Sequence, residues 1–78
     1  MNRLQAVGAA IREARLKRQL SQEKLAELAK LHRNVIGLAE RNVSAPALES
    51  LFAIADALGT SASELVARAE ELADELAL

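Results

Sequence analysis

The segment Ser21–Arg41 constrains the fold more than any other part of the chain. Ser21 is a residue type that commonly caps a helix, and a helical pattern over about 22–29 follows it. A second helical pattern covers about 33–40. Only residues 30–32 separate the two patterns. The segment therefore predicts two short helices that meet at a tight corner.

Three more helices are expected around this pair, which makes the predicted fold all-α. The chain is rich in Ala, Leu, Glu and Arg, residue types that favour helices. Pro46 suits the first turn of a helix and Gly59 the position just after one, while Ser61 and Glu64 form a capping-box pattern. We expect a single domain, residues 1–78, with helices over about 3–18, 22–29, 33–40, 47–58 and 62–77.

Helical spacing also predicts which side chains form the core. In the first three helices the expected inward positions are Leu4, Val7, Ile11, Ala14, Leu25, Ala26, Leu28, Ala29, Ile36 and Ala39. The fourth helix is strongly apolar, and we expect its single aromatic residue, Phe52, in the core rather than in a recognition surface. Arg33, Asn34, Gly37 and Leu38 are expected on the outer face of the third helix or at its margin.

The charges divide the chain into a basic and an acidic part. Residues 1–44 contain nine Lys or Arg and four Glu, a net charge of +5, whereas residues 45–78 contain one Arg and seven acids, a net charge of −6. This asymmetry indicates an anionic partner on one side of the molecule. A chance distribution of charges is the alternative at this point.

Several classes of function are excluded by composition. The chain has no Cys and a single His, His32, so we expect no disulfide, no metal site and no cofactor. There is no Cys nucleophile, no second His and no glycine-rich phosphate loop, so we expect no enzyme and no small-molecule ligand. No apolar run approaches the ~20 residues that span a bilayer, and a soluble, cytoplasmic protein with no membrane partner is expected.

The order of elements and a set of motifs resemble the Xre/Cro-like helix-turn-helix family, which has a five-helix lambda-repressor-like bundle. Lambdoid phage repressors and restriction–modification controller proteins belong to this family. The resemblance covers about residues 7–65. Its marks are Ile11-Arg12 with Arg15, Leu20-Ser21-Gln22-Glu23-Lys24-Leu25-Ala26, Leu31-His32-Arg33, Ile36, Glu40-Arg41, Pro46, Leu48, Leu51, Ile54-Ala55-Asp56-Ala57-Leu58-Gly59 and Glu64-Leu65. The combination of Leu31-His32-Arg33 with Glu40-Arg41 looks most like the controller proteins.

The resemblance implies that the third helix enters the DNA major groove. Arg33 and Asn34, at its start, would contact base edges, since an Arg fork fits guanine and an Asn amide fits adenine. Leu38 would contact a thymine methyl group. Two alternatives stay open: Arg33 bound to a phosphate, and Leu38 half-buried in the core.

The resemblance also implies phosphate contacts by Gln22, Arg41, Asn42 and Ser44. For Gln22 the alternative is a solvated residue in the first turn of the second helix. The family pairs the positions of Arg15 and Glu40 in a structural ion pair between the first and third helices. His32 is expected to cap the third helix rather than to act as a ligand or a catalyst.

This sequence departs from the family at three places. Gln19 and Lys30 stand where the family usually has Gly in a turn, and a non-Gly residue adopts a positive φ only at a cost. The loop Asn42–Ala47 lacks the usual cations and the Ser that would cap the fourth helix. We therefore expect strained or reshaped turns and weaker binding of DNA phosphates.

The fifth helix predicts self-association. Leu65, Ala69, Leu72 and Leu76 follow the spacing of a helix-pairing seam, and we expect them at a homodimer interface. The alternative is that this stripe packs within its own domain.

Together these features predict a homodimeric transcriptional regulator that binds double-stranded DNA at a near-palindromic operator. We expect it to be of bacterial or phage origin and associated with the nucleoid. The alternative is a protein-interaction module, such as an antitoxin or assembly subunit, with weak or lost DNA binding.

Overall fold

A computed structural model describes residues 1–75 of the chain, and all regular structure in that range is helical. The five helices are α1 (Arg3–Lys17), α2 (Gln22–Ala29), α3 (Arg33–Glu40), α4 (Leu48–Leu58) and α5 (Ala62–Glu75). The predicted all-α fold and the helix bounds are confirmed to within two residues over this range. The predicted end of the fifth helix at residues 76–77 lies outside the described residues.

Capping residues fix the ends of most helices. Ser21 Oγ accepts the backbone N–H of Lys24 at 2.9 Å, as its position before α2 predicts. Gly59 ends α4 with a φ of 72°. Ser61 Oγ accepts the N–H of Glu64 at 3.1 Å, so half of the predicted capping box forms. The Glu64 carboxylate instead accepts from the hydroxyl of Thr60 at 2.6 Å.

Two adjoining clusters form the core. The first cluster joins α1 to α4, each of which contributes one large and fully buried side chain: Ile11, Leu25, Ile36 and Ile54. Smaller residues and Leu65 of α5 complete this cluster. The second joins α1 to α5 through four buried alanines, Ala6, Ala10, Ala69 and Ala73. Alanine at these positions lets the two helices approach closely.

An ion pair reinforces the α1–α5 contact at the surface. Arg68 donates to the two carboxylate oxygens of Glu13 at 2.8 and 3.0 Å. These hydrogen bonds lower the pKa of the Glu13 carboxyl. Since both side chains are partly exposed, the pair contributes little to stability.

The structure corrects three predictions of the core, at Leu4, Leu28 and Phe52. Phe52 is 54% exposed because the buried stripe of α4 contains Leu51, Ile54, Ala55 and Leu58, and Phe52 follows Leu51 about 100° further round the helix. Leu28 likewise lies beside, not within, the buried stripe of α2. Leu4 is 67% exposed, although it continues the spacing of Val7 and Ile11 on α1. Leu48, in the first turn of α4, is also exposed.

None of the helices described here is both long and apolar enough to cross a bilayer.

Gly8 allows α1 to cross α3 at very short range. A Cβ atom on Gly8 would overlap the backbone carbonyl oxygen of Ala39, near the end of α3. The carbonyl belongs to a helix and cannot rotate away. The position of α3 relative to α1 therefore depends on the missing side chain, which the sequence pattern alone did not reveal.

We predict that Gly8→Ala lowers the free energy of unfolding by about 2–3 kcal/mol, because the two helices must separate. Urea unfolding followed by circular dichroism measures the change. Gly37→Ala is the matched control, since a Cβ there would meet only the flexible guanidinium of Arg41, at 3.1 Å. Both substitutions improve helix propensity equally. Equal stability of the two variants would contradict the proposed role of Gly8.

Candidate nucleic-acid interface

The corner between α2 and α3 is tight and uses a left-handed residue. Lys30 has a φ of 57° and ends α2, and the N–H of Leu31 donates to the carbonyl of Ala26 at 2.9 Å. Gln19, in the turn before α2, has a φ of 58°. Both residues thus adopt the conformation that glycine would adopt more easily, and the expected strain is present in both turns.

His32 caps α3, as predicted. Its Nδ1 accepts the backbone N–H of Asn34 at 3.1 Å. The cap orients the first turn of α3, in which Arg33 and Asn34 are both exposed. These two predicted base-contact residues are therefore adjacent, at the end of a helix and accessible to a large partner.

The inner and outer faces of α3 are mostly as predicted. Ile36 and Ala39 are buried. Gly37 is buried as well, contrary to the prediction, because the Arg41 side chain folds back over it. Leu38 is half-buried. It lines a shallow groove of about 240 Å³ with Val35, Ser50 and the segment 44–47. Val35 and Ser50 were not predicted as site residues. Val35 lies one helical turn before Leu38, and this spacing is the sequence signal that could have identified it.

The predicted phosphate-contact residues form two groups. Arg41, Asn42 and Ser44 follow α3 directly and are exposed. Asn42 has a φ of 62°, a conformation that Asn tolerates better than most residues. Gln22, at the start of α2, is half-buried, and its Nε2 donates to Glu40 Oε1 at 3.1 Å. Gln22 is therefore not the freely solvated residue of the alternative interpretation.

A buried ion pair joins the elements of the site. Arg15 Nε and Nη2 donate to the two carboxylate oxygens of Glu40 at 2.7 and 2.9 Å, and Arg15 Nη1 donates to the carbonyl of Leu20 at 2.7 Å. The hydrogen bonds to Glu40 raise the pKa of the Arg15 guanidinium despite burial. This is the structural ion pair that the family resemblance implied, and it connects α1 and the turn after it to α3.

The family pattern described as helix-turn-helix matches residues 11–65, more than half of the chain. The chain belongs to the Xre-like helix-turn-helix family. It is 43% identical over 58 residues to the control protein C.SmaI of Serratia marcescens, covering 74% of this chain and 69% of that protein. It is also similar to the crystal structure of the clp gene regulator ClgR from Corynebacterium glutamicum. The TM-score is 0.92 at 25% identity, over 99% of this chain and 82% of that one.

These findings agree with the site geometry. The corner at Lys30, the capped start of α3 and the exposed Arg33 and Asn34 all lie within the matched residues. The chain is a helix-turn-helix protein of the DNA-binding transcriptional regulator class.

The predicted dimer seam of this helix-turn-helix protein requires a correction. Leu65 and Ala69 are 4% and 1% exposed, because the stripe of α5 packs onto the core and onto α1 of the same chain. Leu72 packs against the α1–α5 alanine cluster and is half-buried. Leu76 lies outside the described residues. Leu65 and Ala69 are therefore unavailable to a second chain.

We predict that Lys30→Gly raises the free energy of unfolding by about 0.5–1 kcal/mol, because glycine adopts a positive φ without the steric cost that Lys bears. Thermal unfolding measures the change. Lys24→Gly is the matched control: it removes the same side chain from within α2, where φ is helical, and should cost about 1 kcal/mol. A loss of stability in both variants would show that the turn is not strained.

Proposed function

We propose that this chain is a sequence-specific transcriptional regulator that binds a near-palindromic operator as a homodimer, with α3 in the major groove. The observation that carries the proposal is the exposed pair Arg33 and Asn34 in the first turn of α3, immediately after the cap at His32. In helix-turn-helix proteins the N-terminal residues of the second helix contact base edges.

The chemistry of α3 fits base recognition. The Arg33 guanidinium has the donor geometry for guanine O6 and N7, and the Asn34 amide suits adenine N6 and N7. Leu38 and Val35 offer an apolar contact for a thymine methyl group beside them. Each good bidentate contact discriminates between bases by roughly 1–3 kcal/mol.

The surroundings of α3 fit phosphate binding. Arg41, Asn42 and Ser44 extend from its end, and Gln22 stands at the positive end of α2. Residues 1–44, which include α1 to α3, carry the net charge of +5. In a dimer the two α3 helices would lie about 34 Å apart, one turn of DNA.

We predict different effects for Arg33→Ala and Arg41→Ala. Arg33→Ala removes a base contact and should relax the base preference at one or two operator positions. Arg41→Ala removes a phosphate contact and should weaken binding to all duplexes alike. It should also reduce the slope of log affinity against log salt concentration by about one. Selection from a random duplex pool, followed by salt titration of the enriched sequence, measures both effects. Gln22→Ala should also weaken all duplexes alike.

Equal behaviour of Arg33→Ala and Arg41→Ala would contradict these roles. If the unaltered protein retains no duplex at low salt, the proposal of DNA binding fails and a protein-interaction module replaces it. If the enriched sequence lacks two-fold symmetry, the homodimeric operator is wrong.

An exposed apolar surface supports the homodimer. A groove of about 430 Å³ lies between α1, the residues before α4, and α5, and Leu4, Leu48 and Val66 line it while remaining exposed. Phe52 lies one turn after Leu48 on the same face of α4 and is also exposed. A surface of this kind is typical of a protein–protein contact.

The charges at this groove fit a second copy of the chain. Arg3 and Glu70 both line it, and within residues 1–75 neither forms an ion pair. A two-fold interface places each surface against its own copy, so Arg3 of one chain can meet Glu70 of the other, twice per dimer. We propose this surface in place of the α5 stripe.

We predict that Arg3→Glu and Glu70→Arg each weaken the dimer roughly tenfold, because two attractive contacts become repulsive, and that the combined variant restores it. Sedimentation equilibrium at low salt measures dissociation. Arg12→Glu is the control, since Arg12 is exposed on α1 but does not line the groove. A combined variant no better than either single one would exclude the proposed pairing.

A further inference from the structure

Glu40 binds two different side chains with one buried carboxylate. Its side chain is only 3% exposed. Oε2 accepts from Arg15 Nε at 2.7 Å, while Oε1 accepts from Arg15 Nη2 at 2.9 Å and from Gln22 Nε2 at 3.1 Å. The resemblance to the family implies the pair with Arg15 but says nothing about the bond to Gln22.

The carboxylate sets the orientation of the Gln22 amide. An ionised carboxylate only accepts hydrogen bonds, so the NH₂ group of Gln22, not its oxygen, must face Glu40. One N–H of that group is used, and the second remains available. A phosphate oxygen also accepts only, so it requires the same NH₂ group. With the amide reversed, the Gln22 oxygen would face the phosphate and repel it.

Arg15 makes this arrangement compatible with DNA. A buried carboxylate next to a phosphate would repel it, but the bidentate guanidinium neutralises Glu40. The Gln22 amide can then bridge a neutralised carboxylate and a phosphate. Because its conformation is fixed before DNA arrives, little side-chain freedom is lost on binding.

We infer that Glu40 is a positioning residue for the phosphate contact of Gln22, so that the end of α3 orients the amide at the start of α2. The inference rests on the proposed DNA binding. It assigns to Glu40 a function in affinity in addition to its structural ion pair. It also makes the phosphate contact and the recognition helix parts of one rigid unit.

A double-mutant cycle of Glu40→Gln and Gln22→Ala tests the inference. The Gln side chain has the same size as Glu but both donates and accepts, so it no longer dictates the orientation of the Gln22 amide. Affinity is measured for the operator duplex enriched from the random pool, at a temperature where circular dichroism shows every variant fully folded.

We expect Gln22→Ala to lower affinity about tenfold in the unaltered protein but less than threefold in the Glu40→Gln background. Glu40→Gln alone should weaken all sequences alike and leave the order of preferred bases unchanged. Glu40→Asp, which keeps the charge for Arg15 but shortens the reach to Gln22, should remove the coupling in the same way.

Glu13→Gln is the matched control, because it alters another bidentate Glu–Arg pair, which lies on the α1–α5 surface and makes no hydrogen bond to Gln22. The fold-changes in operator affinity caused by Glu13→Gln and by Gln22→Ala should simply multiply in the double variant. If Gln22→Ala costs the same factor with and without Glu40, the positioning role is overturned while the proposed function stands. If the unaltered protein binds no duplex, both are overturned.

Discussion

The buried ion pair between Arg15 and Glu40 determines how the DNA-binding elements are arranged. A buried carboxylate is unfavourable unless charged and polar partners satisfy it, and breaking such a pair typically costs about 3–5 kcal/mol. Here the partners come from different elements: Arg15 from α1 and Gln22 from α2, with Arg15 also holding the carbonyl of Leu20 in the turn between them. Only a few relative positions of α1, α2 and α3 therefore satisfy the hydrogen bonds of the Glu40 carboxylate.

Close backbone approach supplies the second constraint. Gly8 lets α1 contact the end of α3, and the alanines of the second cluster let α5 lie closely along α1. This packing explains why Leu65 and Ala69 are unavailable to a second chain: the core and α1 already cover them. Among the apolar side chains that remain exposed, Leu4, Leu48 and Val66 line a different surface, and Phe52 lies beside it.

The sequence predicted the elements well and their partners less well. Ser21, Gly59 and His32 act within a few residues along the chain, so capping chemistry identified them. Periodicity shows which residues share a helix face but not which neighbour covers that face, and hence Leu65 and Ala69 were assigned to the wrong partner. Phe52 was misplaced because α4 is apolar on more than one face. The bond from Gln22 to Glu40 spans 18 positions, and no local pattern encodes it.

The left-handed residues around α2 and after α3 keep polar side chains at positions that glycine would occupy with less strain. Gln19, Lys30 and Asn42 all have a positive φ, and glycine would form each turn with less strain. Glycine, however, would remove a cation at Lys30 and an amide at Asn42 from the basic part of the chain. The buried core offsets the strain of these turns. The chain thus retains polar side chains next to α3 at a small cost in stability, a pattern expected where function rather than packing determines the residue.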